Sequence, residues 1–438
     1  MKHLIQLSTA LLAAAVCADP ADPQISNVRL NQNSVSRRVT VQYDLDETAV
    51  VTMDVLTNGV SIGGENIQAV SGDCFKKVAA GNNHEVTWDT YLSWPDQKFG
   101  AGVVSVRMTA WALDNTPDYM VVDLAAANTV RYYPGVDFLP GSMPGQKGAV
   151  TNNPAYKTSK LIMRKIMASG VEWTMGSAAG ETQRQSVETP HVVTLTNNYY
   201  IGVFEVTQAQ WKNITPTSTA TPQFTADAEM RPVEKVSYNE IRNSASKTAN
   251  TAYNWPANPN ASSFLGLLRT KTGLDFDLPT EAQWEFAARA GHGSGFWGDG
   301  STIKNTDTDA NLSNLARYLY NHGGTSTTPT LAPSVGGTAI VGSHKPNSWG
   351  LYDMHGNVWE CCLDWYSDNI TTFNGKVNIN PSNSAQTFSG ATGSNRVRRG
   401  GSWYHPAGNC RPAHRISAAP DSQNADAGLR LVCTAGLQ

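Results

Sequence analysis

RRGGSWYHPAGNCRPAHR, residues 398–415, decides how the second half of this chain is read. Gly400 and Gly401 stand before Ser402 and Trp403, the composition of a tight turn closed by a large ring. Behind the turn, His405 and Cys410 are separated by four residues. A thiol and an imidazole can both bind a soft metal, and the thiol can also join a second sulfur. The stretch therefore reads as a metal or redox site, the remnant of one, or a packed loop.

Moving outward, two helix starts stand upstream. Thr207-Gln-Ala-Gln210-Trp211 and Thr280-Glu-Ala-Gln283-Trp284 both place a threonine at a cap and a glutamine three residues on, the capping-box pattern. The second continues through Trp284, Ala287 and Ala288 to a stop at Gly291, and these tryptophans read as core. Long Gly/Asn/Thr-rich stretches at 292–350 and 367–395 carry little periodicity. A domain so rich in loops needs buried tryptophans, bound cations or disulfides to hold it.

The whole chain has 438 residues, 40% hydrophobic and 16% charged, which is long for one core and points to two domains. Its net charge of −3 argues against nucleic acid or an anionic membrane as partner. The start, MKHLIQLSTALLAAAVCADP, has a basic Lys2, an apolar run from Leu4 to Val16 and a Val16-Cys17-Ala18 cleavage pattern. Residues 1–18 are read as a signal peptide, which makes the protein secreted or periplasmic. A lipoprotein at Cys17 ranks second, because Val16 is bulky where a small residue is wanted. No later apolar run reaches membrane-spanning length.

Residues 24–130 read as strands. VTVQYDL (39–45), VVTMDVL (50–56) and VVSVRMTAWAL (103–113) alternate apolar and polar positions, with Gly/Asn/Asp breaks between runs. That pattern predicts an all-β immunoglobulin-like sandwich of roughly 100 residues. Residues 131–160, rich in Gly, Pro, Asn and Ser, read as a linker, and 161–438 as the second domain. Cleavage after residue 18 leaves Cys74, Cys361, Cys362, Cys410 and Cys433, an odd number in an oxidising compartment.

Several fragments together resemble the formylglycine-generating enzyme family, also called sulfatase-modifying factors. They are VEWTMGS (171–177), ETPHVVTL (188–195), YYIGVFEVTQAQW (199–211), RPVEKVSYNE (231–240), FDLPTEAQWEFAARAG (276–291), SWGLYDMHGNVWE (348–360), RVRRGGSW (396–403) and AGLRLV (427–432). The resemblance covers about 161–433 and implies an α+β, loop-rich fold related to C-type-lectin-like domains. It also implies oxidation of a sulfatase cysteine, within Cys-x-Pro-x-Arg, to formylglycine by oxygen and a copper ion on a Cys-x4-Cys pair. Copper(I) suits two soft thiolates that a substrate thiolate can join.

Matched residue by residue, Cys410 takes the second of those positions and His405 stands at the first. Ser402 and Trp359 match the family's substrate site. The family's structural calcium is implied at Asp353, Gly356, Val358 and Glu360, the middle two through carbonyls, and hard oxygens on a tight turn suit that ion. The resemblance also implies the start of a second calcium site at Asn311 and Leu312, whose downstream partners find no match in this sequence. His191 and His355 match fold-holding positions.

Against the copper reading stands a plainer one, in which Cys410 is bridged to Cys361, Cys362 or Cys433 and His405 is a loop residue. The favoured function is an exported family member acting on a sulfatase polypeptide with altered metal chemistry. The alternative is a non-catalytic binding or adhesion protein that shows loop 403–428 to an extracellular ligand. Small-molecule oxidation is set aside, because no histidine motif or helical domain precedes the second domain.

Overall fold

The computed structural model describes residues 22–94, 104–126, 129–142, 150–216, 220–243, 258–304, 307–322, 336–368 and 394–435. The expected signal peptide, with Cys17, lies outside them. The chain divides into two compact units, residues 1–121 with 130–156 and 435–438, and residues 122–129 with 157–434.

The first unit is built of antiparallel strands. They are β1 (Ile25–Gln32), β2 (Val39–Leu45), β3 (Ala49–Thr57), β4 (Val60–Ser61), β5 (Val70–Gly72), β6 (Lys76–Val78), β7 (Gly81–Trp88) and β8 (Val104–Trp111), with a one-turn helix α1 (Thr90–Ser93) after β7. One sheet has the order β1-β2-β7-β5; the other has β4-β3-β6, and β8 also pairs with β3. In β2 the expected alternation is present, with Val39, Val41, Tyr43 and Leu45 buried. β3 departs from it, because its polar Thr52 and Asp54 are buried as well. The cause lies across the ladder: Trp111 Nε1 donates to Thr52 at 2.8 Å, and Arg107 pairs with Asp54 at 2.7 Å. Strands β9 (Tyr119–Asp123) and β10 (Val130–Tyr133) follow. The stretch read as linker also holds 3-10 turns at Val136–Phe138 and Pro154–Lys157.

In the second unit β11 (Lys160–Ile166), β14 (Tyr199–Gly202) and β19 (Val432–Thr434) lie side by side, and β12 (Glu172–Met175) pairs with β13 (His191–Thr194) as a separate ribbon. A further sheet has the order β17-β16-β15-β18, from β15 (Trp359–Trp365), β16 (Arg396–Arg399), β17 (Arg415–Ala418) and β18 (Ala427–Gly428). The helices are few and short: α2 (Gln208–Ile214), α3 (Phe264–Thr272), α4 (Glu281–Arg289) and α5 (Leu312–Leu315). Both anticipated capping boxes form, Thr207 with Gln210 and Thr280 with Gln283. α4 ends through Ala290 in the left-handed region, one residue before Gly291. Trp284 is wholly buried on α4 among Ile201, Leu351, Met354, Cys362 and Val397, while Trp211 stacks on Phe264 at 4.4 Å.

The expected sulfur staple is not found. Among the described residues Cys74, Cys361, Cys362, Cys410 and Cys433 are all free thiols, and all are buried. Cys361 and Cys362 follow one another on β15 and so project to opposite faces, each into its own packing. What holds the loops is charge. Arg415 grips Glu281 through two 2.7 Å bonds, and Arg399 reaches both Glu281 and Glu285. Arg411 binds Glu181 at 2.6 Å and Glu188 at 2.7 Å; Arg430 binds Glu360 at 2.8 Å; Arg242 binds Asp277 at 3.1 Å.

Thr280→Ala removes the hydroxyl that accepts the Gln283 N–H and leaves a buried donor unmet, so it is expected to cost about 1 kcal/mol of unfolding free energy. Chemical denaturation of Thr280→Ala beside Thr280→Ser checks this, with the serine variant retaining the cap.

Candidate functional site

The end of the β15 sheet builds the site. β15 runs parallel to β18 with Trp359 opposite Ala427, which carries Asp426 alongside Trp359. The Trp359 N–H donates to the Asp426 carbonyl at 2.8 Å. The chain leaving β16 turns through Gly400 and Gly401, at φ of 100° and 75°, conformations that suit glycine. A Cβ on Gly401 would stand 2.5 Å from Cys410 Sγ, so the second glycine is also required by that close approach. Trp403 then anchors the turn, wholly buried, with its ring edge-on to Phe224 and its Nε1 donating to the Ala425 carbonyl.

Three of the four residues anticipated as catalytic meet here. Ser402 Oγ lies 2.8 Å from His405 Nδ1, and Trp359 Nε1 donates to the same nitrogen at 3.2 Å. Ser402 Oγ also reaches Asp426 Oδ2 at 3.2 Å, and that carboxylate stands 3.6 Å from His405 Nδ1. An indole N–H can only donate, so Nδ1 accepts and the proton of the neutral ring sits on Nε2. Burial holds His405 below the usual imidazole range; Asp426 pulls the other way and His414 adds to the lowering. The result is a half-buried neutral imidazole backed by a hydroxyl, an indole and a carboxylate.

Cys410 faces elsewhere. Its side chain belongs to an apolar cluster with Trp297, Leu312, Leu315, Tyr318 and Ala407, and its thiol reaches the Pro406 carbonyl at 3.7 Å. Burial pushes that thiol up to about 12, so it remains protonated. His405 and Cys410 do not fit copper as they stand. The imidazole lone pair at Nδ1 is occupied by the Trp359 indole N–H, and the sulfur is a buried thiol with no cation to favour its thiolate.

The calcium set divides. Asp353 Oδ2 accepts the Gly342 N–H at 2.6 Å, while Oδ1, also buried, meets no partner among the described residues. Glu360 is fully engaged, taking Arg430 on both oxygens and Trp284 Nε1 at 2.6 Å. Val358 presents its N–H to Glu205 at 3.1 Å. Three buried carboxylates, Glu205, Asp353 and Glu360, thus stand around the Arg430 guanidinium. The unpartnered Oδ1 of Asp353 is the one feature of this set that suits a cation; Glu360 serves Arg430 instead, and among the described residues no three His, Cys, Asp or Glu side chains gather as a metal site. Asn311 caps nothing and bonds to Asp309 and Thr302.

His355 and His191 hold the fold. Gly298 N–H donates to His355 Nε2 at 3.0 Å and the ring's Nδ1 meets the Cys410 carbonyl, with burial lowering its pKa to about 4. His191 Nδ1 bonds the Thr189 carbonyl. Sequence reasoning missed Asp426 and His414. Asp426 lies directly before AGLRLV, but only the parallel pairing of β18 with β15 brings it to His405.

Glu234 lies beside the site and carries a testable titration. Its Oε1 accepts the N–H groups of Gln223 and Phe224, while the buried Oε2 has no partner. Burial raises its pKa from 4.5 to about 7, with Asp426 adding to the rise. In the unfolded chain the group ionises near 4.5, so its contribution is full below that pH and is lost as pH rises towards 7. Glu234→Gln keeps the acceptor and removes the charge. Its melting temperature should exceed that of the parent above pH 7, and the gap should close on acidification. A constant gap would mean that Glu234 is not the titrating group.

The sulfatase-modifying factor enzyme 1-like domain matches residues 153–435. Over 165 residues the chain is 36% identical to the formylglycine-generating enzyme of Streptomyces coelicolor, a match covering 36% of this chain and 47% of that protein. The enzyme of Thermomonospora curvata is 35% identical over 157 residues, covering 35% of this chain and 48% of that one. The chain thus spans about half the length of these curated relatives. Among solved structures, PvdO from Pseudomonas aeruginosa is similar over 63% of this chain and 94% of that one, at 21% identity and a TM-score of 0.48. With the domain match extending over more than half of its residues, the chain belongs to the formylglycine-generating enzyme, or sulfatase-modifying factor, family.

Proposed function

We propose that this is an exported formylglycine-generating-enzyme-related protein whose cleft at Trp359, Ser402 and His405 engages a sulfatase-type polypeptide without copper-dependent oxidation. The observation that carries this is the hydrogen bonding of His405: its Nδ1 takes both Trp359 and Ser402, while Cys410 is turned into an apolar cluster. A polypeptide approaching this surface meets the His405 imidazole and the Asp426 carboxylate, groups that orient a backbone and a basic side chain, while Trp359 and Ser402 lie buried behind them. The curated relatives carry the name of the oxidase, which motivates the choice of peptide.

The test uses the purified full chain and a Cys-x-Pro-x-Arg peptide. Fluorescence anisotropy should show saturable binding, and mass spectrometry with copper and oxygen should show no aldehyde. His405→Cys alone should gain no tight copper binding, because Cys410 stays turned into its apolar cluster. Aldehyde formation by the parent protein, or no peptide binding at all, would overturn the proposal. Binding instead to a glycan array, lost when residues 403–409 are exchanged, would favour the adhesion reading.

The antiparallel strands of 24–130 support an immunoglobulin-like sandwich joined by the 131–160 linker to 161–438, a domain related to C-type-lectin-like folds. Residues 1–18 would direct the chain to the periplasm or outside the cell. Calcium is proposed at Asp353, through its free Oδ1 and the carbonyls of Gly356 and Val358, as a structural ion that offsets the surrounding carboxylates. Millimolar calcium should raise the melting temperature of the parent and leave Asp353→Asn unchanged. Equal responses in the two proteins would remove Asp353 from the site.

A further inference from the structure

A cavity of about 540 Å³ opens beside β12 and α4, and none of its lining residues belongs to the His405 cleft. Its walls are aromatic. Trp173 meets Phe286 at 5.4 Å between centroids, and Phe286 meets Trp349 at 5.1 Å, so three rings line one continuous surface. Met167 and Val171 form part of the lining and are 58% and 39% exposed, an apolar rim that a water-facing surface gains nothing by displaying.

One charged group lines this apolar space. Arg289 is 5% exposed. Its Nε donates to Glu285 at 2.8 Å, and Nη2 donates to the Gly176 carbonyl at 2.5 Å. Nη1 has no partner among the described residues, although the side chain is almost entirely buried. Nor is its charge fully matched, because Glu285 is shared with Arg399. Trp173 Nε1, on the same wall, is a second donor without an acceptor. A cavity of this size, apolar with a few convergent polar groups, has the character of a small-molecule site.

We propose that this cavity binds a small amphipathic carboxylate. The flat or aliphatic body lies against Trp173, Phe286 and Trp349, and the carboxylate accepts from Arg289 Nη1. An acid suits the site better than an alcohol or an amine, since the two unpartnered groups, Arg289 Nη1 and Trp173 Nε1, are both donors and the buried charge in the lining is positive. The proposal is independent of what the His405 cleft does.

Isothermal titration calorimetry of the full chain with naphthoate, and with naphthol as the uncharged body, tests it. Naphthoate should bind saturably and at least about tenfold more tightly than naphthol, the margin of one charge-assisted hydrogen bond. Met167→Glu, a change on an exposed rim residue that the fold should tolerate, should weaken naphthoate at least about tenfold through like-charge repulsion. Arg289→Gln should bring naphthoate to the level of naphthol, and circular dichroism shows whether that variant is folded. Equal binding of the two probes, unchanged binding in Met167→Glu, or no saturable heat with naphthoate would each overturn the proposal.

Discussion

The buried arginine–carboxylate pair is the constraint on which the second unit rests. Arg411, Arg399, Arg415, Arg430 and Arg242 are essentially excluded from solvent, and so are Glu188, Glu281, Glu285, Glu360 and Asp277. Such pairs gain little over well-packed apolar residues, but removing one partner strands a charge, at a cost of about 3–5 kcal/mol. They do what helices and long strands do elsewhere. Each planar guanidinium fixes several chain segments at once: Arg430 binds Glu360 together with the carbonyls of Gly202 and Tyr352, and Arg411 binds Glu181, Glu188 and the Gln183 carbonyl. A fold with short elements and long loops thereby keeps its backbone polar groups satisfied where no ladder is available.

The same pairs set the site. Arg430 holds Glu360, the residue after Trp359, so the indole sits at a determined depth at the start of β15. Arg411 holds the chain directly after Cys410. Between those two anchors the Gly400–Gly401 turn has only one course open to it, and Ser402 and His405 fall within hydrogen-bonding reach of Trp359.

How much of this could be read from the chain depends on sequence separation. The capping boxes at Thr207 and Thr280 were legible because their partners lie three residues on, and the alternation of β2 was legible because one face meets the core. The meeting of Ser402 with His405 is equally local. The arginine network was not legible, since Arg411 and Glu181 lie 230 residues apart and Arg399 and Glu285 lie 114 apart. Cysteines were read as staples because composition announces them, whereas a buried guanidinium has no compositional signature. The burial of Thr52 and Asp54 in β3 escaped for a related reason: period-two reasoning sees one strand, and the partners Trp111 and Arg107 come from another.

A histidine at 405 does chemistry at this position that a cysteine would not. A thiol at 405 would present a weak donor or a soft anion and would leave Trp359 Nε1 to seek another acceptor. The imidazole supplies that acceptor at Nδ1 and is in turn locked in the Nε2–H tautomer, so indole, hydroxyl and ring become one hydrogen-bonded unit. Protonating Nδ1 would set two donors against each other, which works in the same direction as burial and keeps the ring neutral. Cys410 faces Trp297 and Tyr318 and takes no part in that unit. His405 thus ties indole, hydroxyl and imidazole into one wall at the end of the β15 sheet, and that wall stands without any contribution from Cys410.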